Sequence, residues 1–403
     1  MIFNTWTFGV FAIIVLSVYW ACIPARFKPI YLVVAGSVFY VFSVPAYLLL
    51  IVALGLITYG IGTALIHTRG NKSRQKSLMV LGACLITAVL VFFKYTKMFA
   101  GTVNWFAHHD VLPIPQITVP LAISFFTFEF VHVLVDVYLG KIEELHPLDF
   151  AVFTMFFPTL VAGPIKRYQS FAPQVRNITM PSDRDLSLNI YRIVMGLTKK
   201  FIIADSMSLF TGPLSDPHAL PFGRLDYIVA IFAYTAKIYF DFTGYSDIAI
   251  GLSGLLGLKI PENFERPYWS ENISVFWRKW HMSLSSWIRD YIFIPLGGSR
   301  RPPLITALNL FIAMALAGLW HGAAWTFVVW GLWHGIGLAV HRLWSNMVVP
   351  RIEWLRTASV PKQAGSIALT FAFVIAGWIL FAASSFSAAT IVFLHAMGIS
   401  TRL

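Results

Sequence analysis

The sequence predicts an all-α protein that crosses a membrane many times, and three observations predict it. Of 403 residues, 58% are hydrophobic and 12% are charged, whereas a soluble globular chain carries about 25% charged residues. Apolar runs of roughly 17–22 residues recur along the whole length, long enough as helices to cross a hydrocarbon core of about 30 Å. The basic residues, which bring the net charge to +12, sit mostly in short loops such as HTRGNKSRQK at 67–76. That is the distribution the positive-inside bias produces, so the charge argues for no nucleic acid partner.

In chain order the runs predict spans near 7–23, 29–44, 46–66, 77–93, 118–139, 149–165, 186–210, 225–243, 304–320, 323–344 and 366–383. The opening MIFNTWTFGVF has no basic residues and no cleavage site, so the first run reads as a retained helix and not a removed signal. Cys22 and Cys84 fall inside apolar runs, so neither suggests a disulfide framework. Arg26, Lys28 and the loop 67–76 are expected to be cytoplasmic, with the N-terminus outside. LVAGPIKRYQSF (160–171) and GYSDIAIGLSGLLGLKIPENF (244–264) mix Gly and Pro with apolar residues. Backbone of that kind cannot face lipid unpaired, so both segments are expected to be re-entrant or to line a cavity. Within the second, Gly251, Gly254 and Gly257 recur at every third residue, which suits close helix contact. The stretch 265–301 is too charged to span. Its short alternating blocks of aromatics and cations predict an amphipathic segment at the cytoplasmic interface. The whole chain, 1–403, reads as one integral membrane domain in contact with lipid.

Ionisable residues among apolar ones are the places to look for chemistry. GLWHGAAWTFVVWGLWHG (318–335) repeats the pentapeptide Gly-Leu-Trp-His-Gly. On one continuous helix the thirteen-residue offset separates His321 from His334 by about 220° and about 20 Å, so the two could not share a metal. An isolated intramembrane imidazole is as easily a hydrogen-bonded packing group as a functional one. Glu129, His132 and Asp136 share a helix face at i, i+3 and i+7, and are expected to form a hydrogen-bonded stripe sooner than a metal site. Asp241 and Asp247 in AKIYFDFTGYSDIAIG either do acid–base work or brace a broken helix. Lys199, Lys200, Arg278, Lys279, Arg289, Arg300 and Arg301 either form a cationic mouth for a polyanionic donor or contact lipid headgroups.

At SVFWRKWHMSLSSWIRDYIFIPLGGSR (274–300) the sequence resembles the membrane-bound O-acyltransferase family, in its bacterial polysaccharide O-acetyltransferase subgroup. The resemblance continues, in the family's order, through LAISFFTFEFVHVLVDVYLGK, FFPTLVAGPIKRYQSF, IYFDFTGYSDIAIG, ENFERPYWSENIS, ALAGLWHGAAWTFVVWGLWHG and AGWILFAASSFSAA. It implies a ring of about eleven transmembrane helices, with re-entrant and interfacial helices, around a central tunnel. His321 falls where the family keeps its catalytic histidine and His281 at a second important polar position, and Asp290 belongs to the same motif. Glu129, His132 and Ala382 depart from the family's usual residues, and the chain is shorter than typical alginate-type members, so a final helix or two is expected to be absent.

The chemistry implied is acetyl transfer. A cytoplasmic acetyl-CoA is the donor, with no bound cofactor and no metal. A hydroxyl of a cell-wall or extracellular polysaccharide, or of a periplasmic esterase-like acetyltransferase, is the acceptor, and the chain sits in the bacterial inner membrane. A neutral His321 would take the hydroxyl proton. The indoles of Trp320 and Trp325 and a cationic His281 would face the oxyanion. Lys199, Lys200, Arg278, Asp290 and Asp247 would line the donor side. Two other readings are D-alanyl transfer to teichoic acid and a transporter that relays ions through Glu129, His132, Asp136 and Asp247.

Overall fold

The computed structural model describes residues 5–42, 44–217, 219, 222–352 and 359–399. All regular structure among them is helical. The chain packs as two compact units, one of residues 1–197 and 245–261, the other of 198–244 and 262–403, with the boundary falling inside the helix Arg224–Leu255.

The first unit is built on Trp6–Ala21, Lys28–Val41, Leu48–His67, Lys72–Ala107 and Ile123–Tyr138, followed by the shorter helices Pro147–Met155, Phe157–Leu160 and Tyr168–Arg176 and the amphipathic Asp183–Leu197. Its core is aromatic: Phe39, Phe126, Phe130, Phe153, Phe156, Phe157 and Phe171 are all buried. The helix Lys72–Ala107 corrects the expected span 77–93. It starts within the basic loop, where the Asn71 side chain accepts the Arg74 N–H, and Lys, Ser, Arg and Gln there are acceptable helix formers. Its 36 residues rise about 54 Å, well past the thickness of a hydrocarbon core.

The predicted polar stripe lies on Ile123–Tyr138; Glu129 holds the irregular segment that follows Leu160, and His132 and Asp136 hold the first turn of the helix Tyr168–Arg176. Glu129 pairs with Lys166, both buried. His132 Nε2 accepts the Tyr168 N–H at 3.2 Å. Asp136 accepts from Gln169 at 2.9 Å and Lys141 at 3.0 Å. The Tyr168 N–H, an orphan of a helix's first turn, is thereby paired with a side chain, as an apolar surrounding demands. The stretch 244–264 differs from its expectation. Residues 244–255 continue the helix, and only the part beyond it is irregular. Gly251 and Gly254 lie where a Cβ would overlap Asn189 and Ile193 of the Asp183–Leu197 helix. Gly257 takes φ +79° to end the helix, with the Leu258 N–H reaching back to Ser253 O.

In the second unit the helices Pro303–His321 and Trp325–Leu343 form an antiparallel hairpin. The continuous helix assumed for 318–335 does not exist. The chain turns through extended residues Gly322 to Ala324, with φ −162° at Gly322 and −145° at Ala324. Glycine directly after a helix is a stop signal, and here it acts as one. The two backbones then come into contact: a Cβ on Gly318 would overlap the Phe327 carbonyl, and one on Gly331 the Met314 carbonyl. Val360–Ala382 and Phe386–Ala396 complete the unit. The segment 265–301 folds into Ile273–Lys279, Met282–Ile288 and a π-helical turn Arg289–Phe293. Phe276, Trp277, Trp280 and Trp287 are buried in protein while Arg278 and Arg289 stay exposed, so the amphipathic pattern is real but its apolar face packs on protein.

Candidate functional site

His321 is the last residue of its helix, half-buried, with an aromatic wall on three sides. Ring centroids of Trp320, Phe381 and Trp330 lie 4.8, 5.0 and 5.2 Å from its own. Trp320 also borders the second sequence-predicted imidazole, with His281 5.8 Å away on the same indole. His281 is 1% exposed and packs at 4.6 Å on Phe242. The structure therefore brings His281, Trp320 and His321 together from segments forty residues apart.

His281 adopts a left-handed backbone, φ 44° and ψ 54°. For a residue with a side chain this costs of order 1–3 kcal/mol and persists only where the surroundings enforce it. Asn263 enforces it. Its carbonyl accepts the Met282 N–H at 2.9 Å, and its side-chain oxygen accepts the Ser283 hydroxyl at 2.6 Å. Both ring nitrogens of His281 are buried with no hydrogen-bond partner among the described residues. Burial first, and the nearby His321 imidazole second, hold the His281 pKa well below the ordinary imidazole range. This corrects the cationic His281 expected from sequence: the ring is neutral at pH 7 and offers one N–H, not two. The pH dependence follows in sign. With a neutral donor and a base that works deprotonated, activity rises from acid pH and then stays level from about pH 7 to 9. A pH profile of kcat/KM that fell in that range would restore an imidazolium donor.

His334 differs from His321 in kind. It is fully buried, and its Nδ1 accepts the Trp277 indole N–H at 3.3 Å. Yet it is not remote. Trp330 stands 5.2 Å from His321 and 5.0 Å from His334, so the two imidazoles lie no further apart than the sum of those distances, about half the 20 Å of a continuous helix. Trp325, at the start of the second hairpin helix, is half exposed.

The remaining predicted residues scatter. Lys200, in the π-helical turn Thr198–Ala204, pairs with Asp205 at 3.0 Å and Asp241 at 2.6 Å. Lys199 is its half-buried neighbour in that turn. Arg278 is exposed on the last turn of Ile273–Lys279, and Asp290 meets Arg289 at 2.9 Å. Asp247 belongs to the first unit and pairs with Arg192 at 2.9 Å. Asp241 and Asp247 thus each serve a different cation and are not a carboxylate pair. Sequence reasoning missed Asn263, Trp277 and Trp330. All three lie within the motifs ENFERPYWSENIS, 274–300 and 318–335, yet nothing in their spacing marks Asn263 as the residue that holds His281 or Trp330 as a neighbour of both histidines.

Fold and site together define a class: a multi-pass helical membrane protein that holds two imidazoles of unlike exposure in one aromatic pocket. The chain belongs to the membrane-bound O-acyltransferase family, whose pattern matches residues 75–385, and it is an O-acyltransferase. It is 37% identical over 375 residues to the probable alginate O-acetylase AlgI of Azotobacter vinelandii, covering 91% of this chain and 72% of that protein. It is 34% identical over 399 residues to the peptidoglycan O-acetyltransferase of Helicobacter pylori, covering 90% and 72%. A more distant relative is the teichoic acid D-alanyltransferase of Bacillus subtilis, 31% identical over 277 residues, covering 66% and 69%.

Proposed function

We propose that this chain is an O-acetyltransferase of the bacterial inner membrane. It takes acetyl from cytoplasmic acetyl-CoA and delivers it across the membrane to a hydroxyl of a cell-surface polysaccharide, directly or through a periplasmic esterase-like acetyltransferase. Its helices are read as a ring of about eleven spans around a tunnel, four of which are long and apolar enough to cross by length and composition alone among the described residues. The observation that carries the reading is the His281–Trp320–His321 cluster in a chain that aligns over nine-tenths of its length with two O-acetylating relatives.

In this reading His321 accepts the proton of the acceptor hydroxyl as its oxygen attacks the thioester carbonyl. The tetrahedral oxyanion is met by N–H donors, the neutral His281 among them. Collapse breaks the C–S bond, and the proton held by His321 passes to the departing sulfur, so free CoA and the acetyl ester are the products. Lys199 and Arg278 attract the donor's phosphates, and Lys200 joins them only by giving up a carboxylate. The aromatic wall limits water, which would otherwise hydrolyse the thioester.

Reconstituted protein given acetyl-CoA labelled in the acetyl group tests this. Release of free CoA, and label appearing on polysaccharide when the periplasmic partner is present, are the expected results. Label accepted only from a D-alanyl thioester carrier would favour the teichoic acid reading, to which the Bacillus relative points. Ion flux with no thioester turnover would favour a transporter.

A further inference from the structure

Trp330 has the one role in this pocket that the reaction above leaves open. Its side chain is fully buried, yet its indole N–H has no hydrogen-bond partner among the described residues. Three other indoles of the chain are paired: Trp20 donates to Leu255 O at 2.9 Å, Trp333 to Phe373 O at 3.1 Å, and Trp277 to His334 at 3.3 Å. An indole nitrogen can only donate. Left unpaired in an apolar interior it carries a desolvation penalty of about 1–3 kcal/mol, so a buried orphan calls for an explanation.

No acceptor among the described residues meets this N–H. Trp330 is enclosed by Trp277 at 5.8 Å, Trp378 at 5.9 Å, Phe381 at 5.0 Å and the two histidines. His334 Nδ1 is already taken by Trp277. Its Nε2 must then carry the ring proton, which makes it a donor as well, and it too is buried without a partner among the described residues. Two N–H donors that no acceptor among the described residues meets thus adjoin each other, and the Trp330 ring borders His321. An acyl carbonyl is the complementary group, since its oxygen only accepts and gains negative charge during transfer.

We infer that Trp330 is a further catalytic residue, whose indole N–H donates to the acyl oxygen of the thioester as that oxygen becomes the oxyanion. The inference rests on the acyl-transfer reading of His321. Position supports it: Trp330 stands perpendicular to the His321 ring, and the antiparallel hairpin presents it there from the partner helix. The packing of Trp378 and Phe381 fixes the indole plane in advance, so donation needs no reorganisation during the reaction.

The test removes the N–H and keeps the ring. Trp330 is replaced by 3-benzothienylalanine, in which sulfur stands for the N–H in a bicycle of nearly the same shape, and in parallel by Trp330→Phe. For the benzothienyl protein kcat falls about 10²-fold, the scale of one lost oxyanion donor. KM for acetyl-CoA stays within about threefold, because the bond strengthens mainly in the transition state. Full kcat in the benzothienyl protein, with loss only in Trp330→Phe, would show that Trp330 packs the pocket and donates to nothing. Wild-type protein that transfers no acetyl group, with His321→Ala making no difference, would overturn the underlying reading and this inference with it.

Discussion

His321→Ala lowers acyl transfer by about 10²–10⁴-fold, the usual value of a general base, while the protein still reaches the membrane and elutes as a single species. The separation of the two effects follows from place. His321 ends its helix, is half-buried, and packs among the rings of Trp320, Trp330 and Phe381, so its truncation leaves less enclosed volume empty than truncation of a fully buried histidine. His334→Ala has a different profile. It strips the acceptor from the buried Trp277 N–H, an unsatisfied group that costs about 1–3 kcal/mol, and it opens a void beside Trp330. That variant is expected to lose thermal stability first. Through Trp330 it also loses some rate, more than two histidines 20 Å apart would allow. Rates normalised to folded protein in both variants decide the matter. An equal loss per folded molecule would remove any special role from His321.

The reason for this difference was only partly legible in the sequence. Apolar runs and loop charge were enough to place most helices, because a membrane span is a composition signal that needs no tertiary information. The repeated Gly-Leu-Trp-His-Gly drew attention to its histidines, yet the structure accounts for the repeat through its glycines. Gly318 and Gly331 each let one hairpin backbone approach the other, and Gly322 makes the turn. Treating 318–335 as one helix ignored Gly322 as a stop, and every distance built on it was wrong. His281 was recognisable from its motif, but its strained backbone and the Asn263 that holds it were not. Hydrogen bonds that reach across twenty residues, from an irregular stretch over the helix Ile273–Lys279, leave no periodicity to read. The expected charge on His281 failed because it depends on burial, which residue order does not display.

The second large effect lies in the first unit. Either Glu129→Gln or Lys166→Met destabilises the protein by about 3–5 kcal/mol, because each leaves the other member of a buried pair without its partner. Glu129 is 4% exposed and Lys166 1%. Lys166 stands in the irregular segment between Leu160 and Tyr168, and its ammonium also lies 4.5 Å from the Phe153 ring. Its loss removes the Glu129 tie to that segment, while His132 and Asp136 keep their bonds to Tyr168 and Gln169 at the start of the next helix. The double variant Glu129→Leu/Lys166→Met separates a brace from an ion relay. Replacing both charges of a buried pair by apolar groups of similar size is often close to neutral, so a brace predicts that the double variant recovers most of the thermal stability and acyl transfer lost in the singles. A relay predicts the opposite, since no proton or ion can pass through Leu and Met. Thermal unfolding in detergent, read beside acetyl transfer in the same preparations, distinguishes them. A double variant as stable as wild type but inactive in transfer would assign the pair to function and not to the fold.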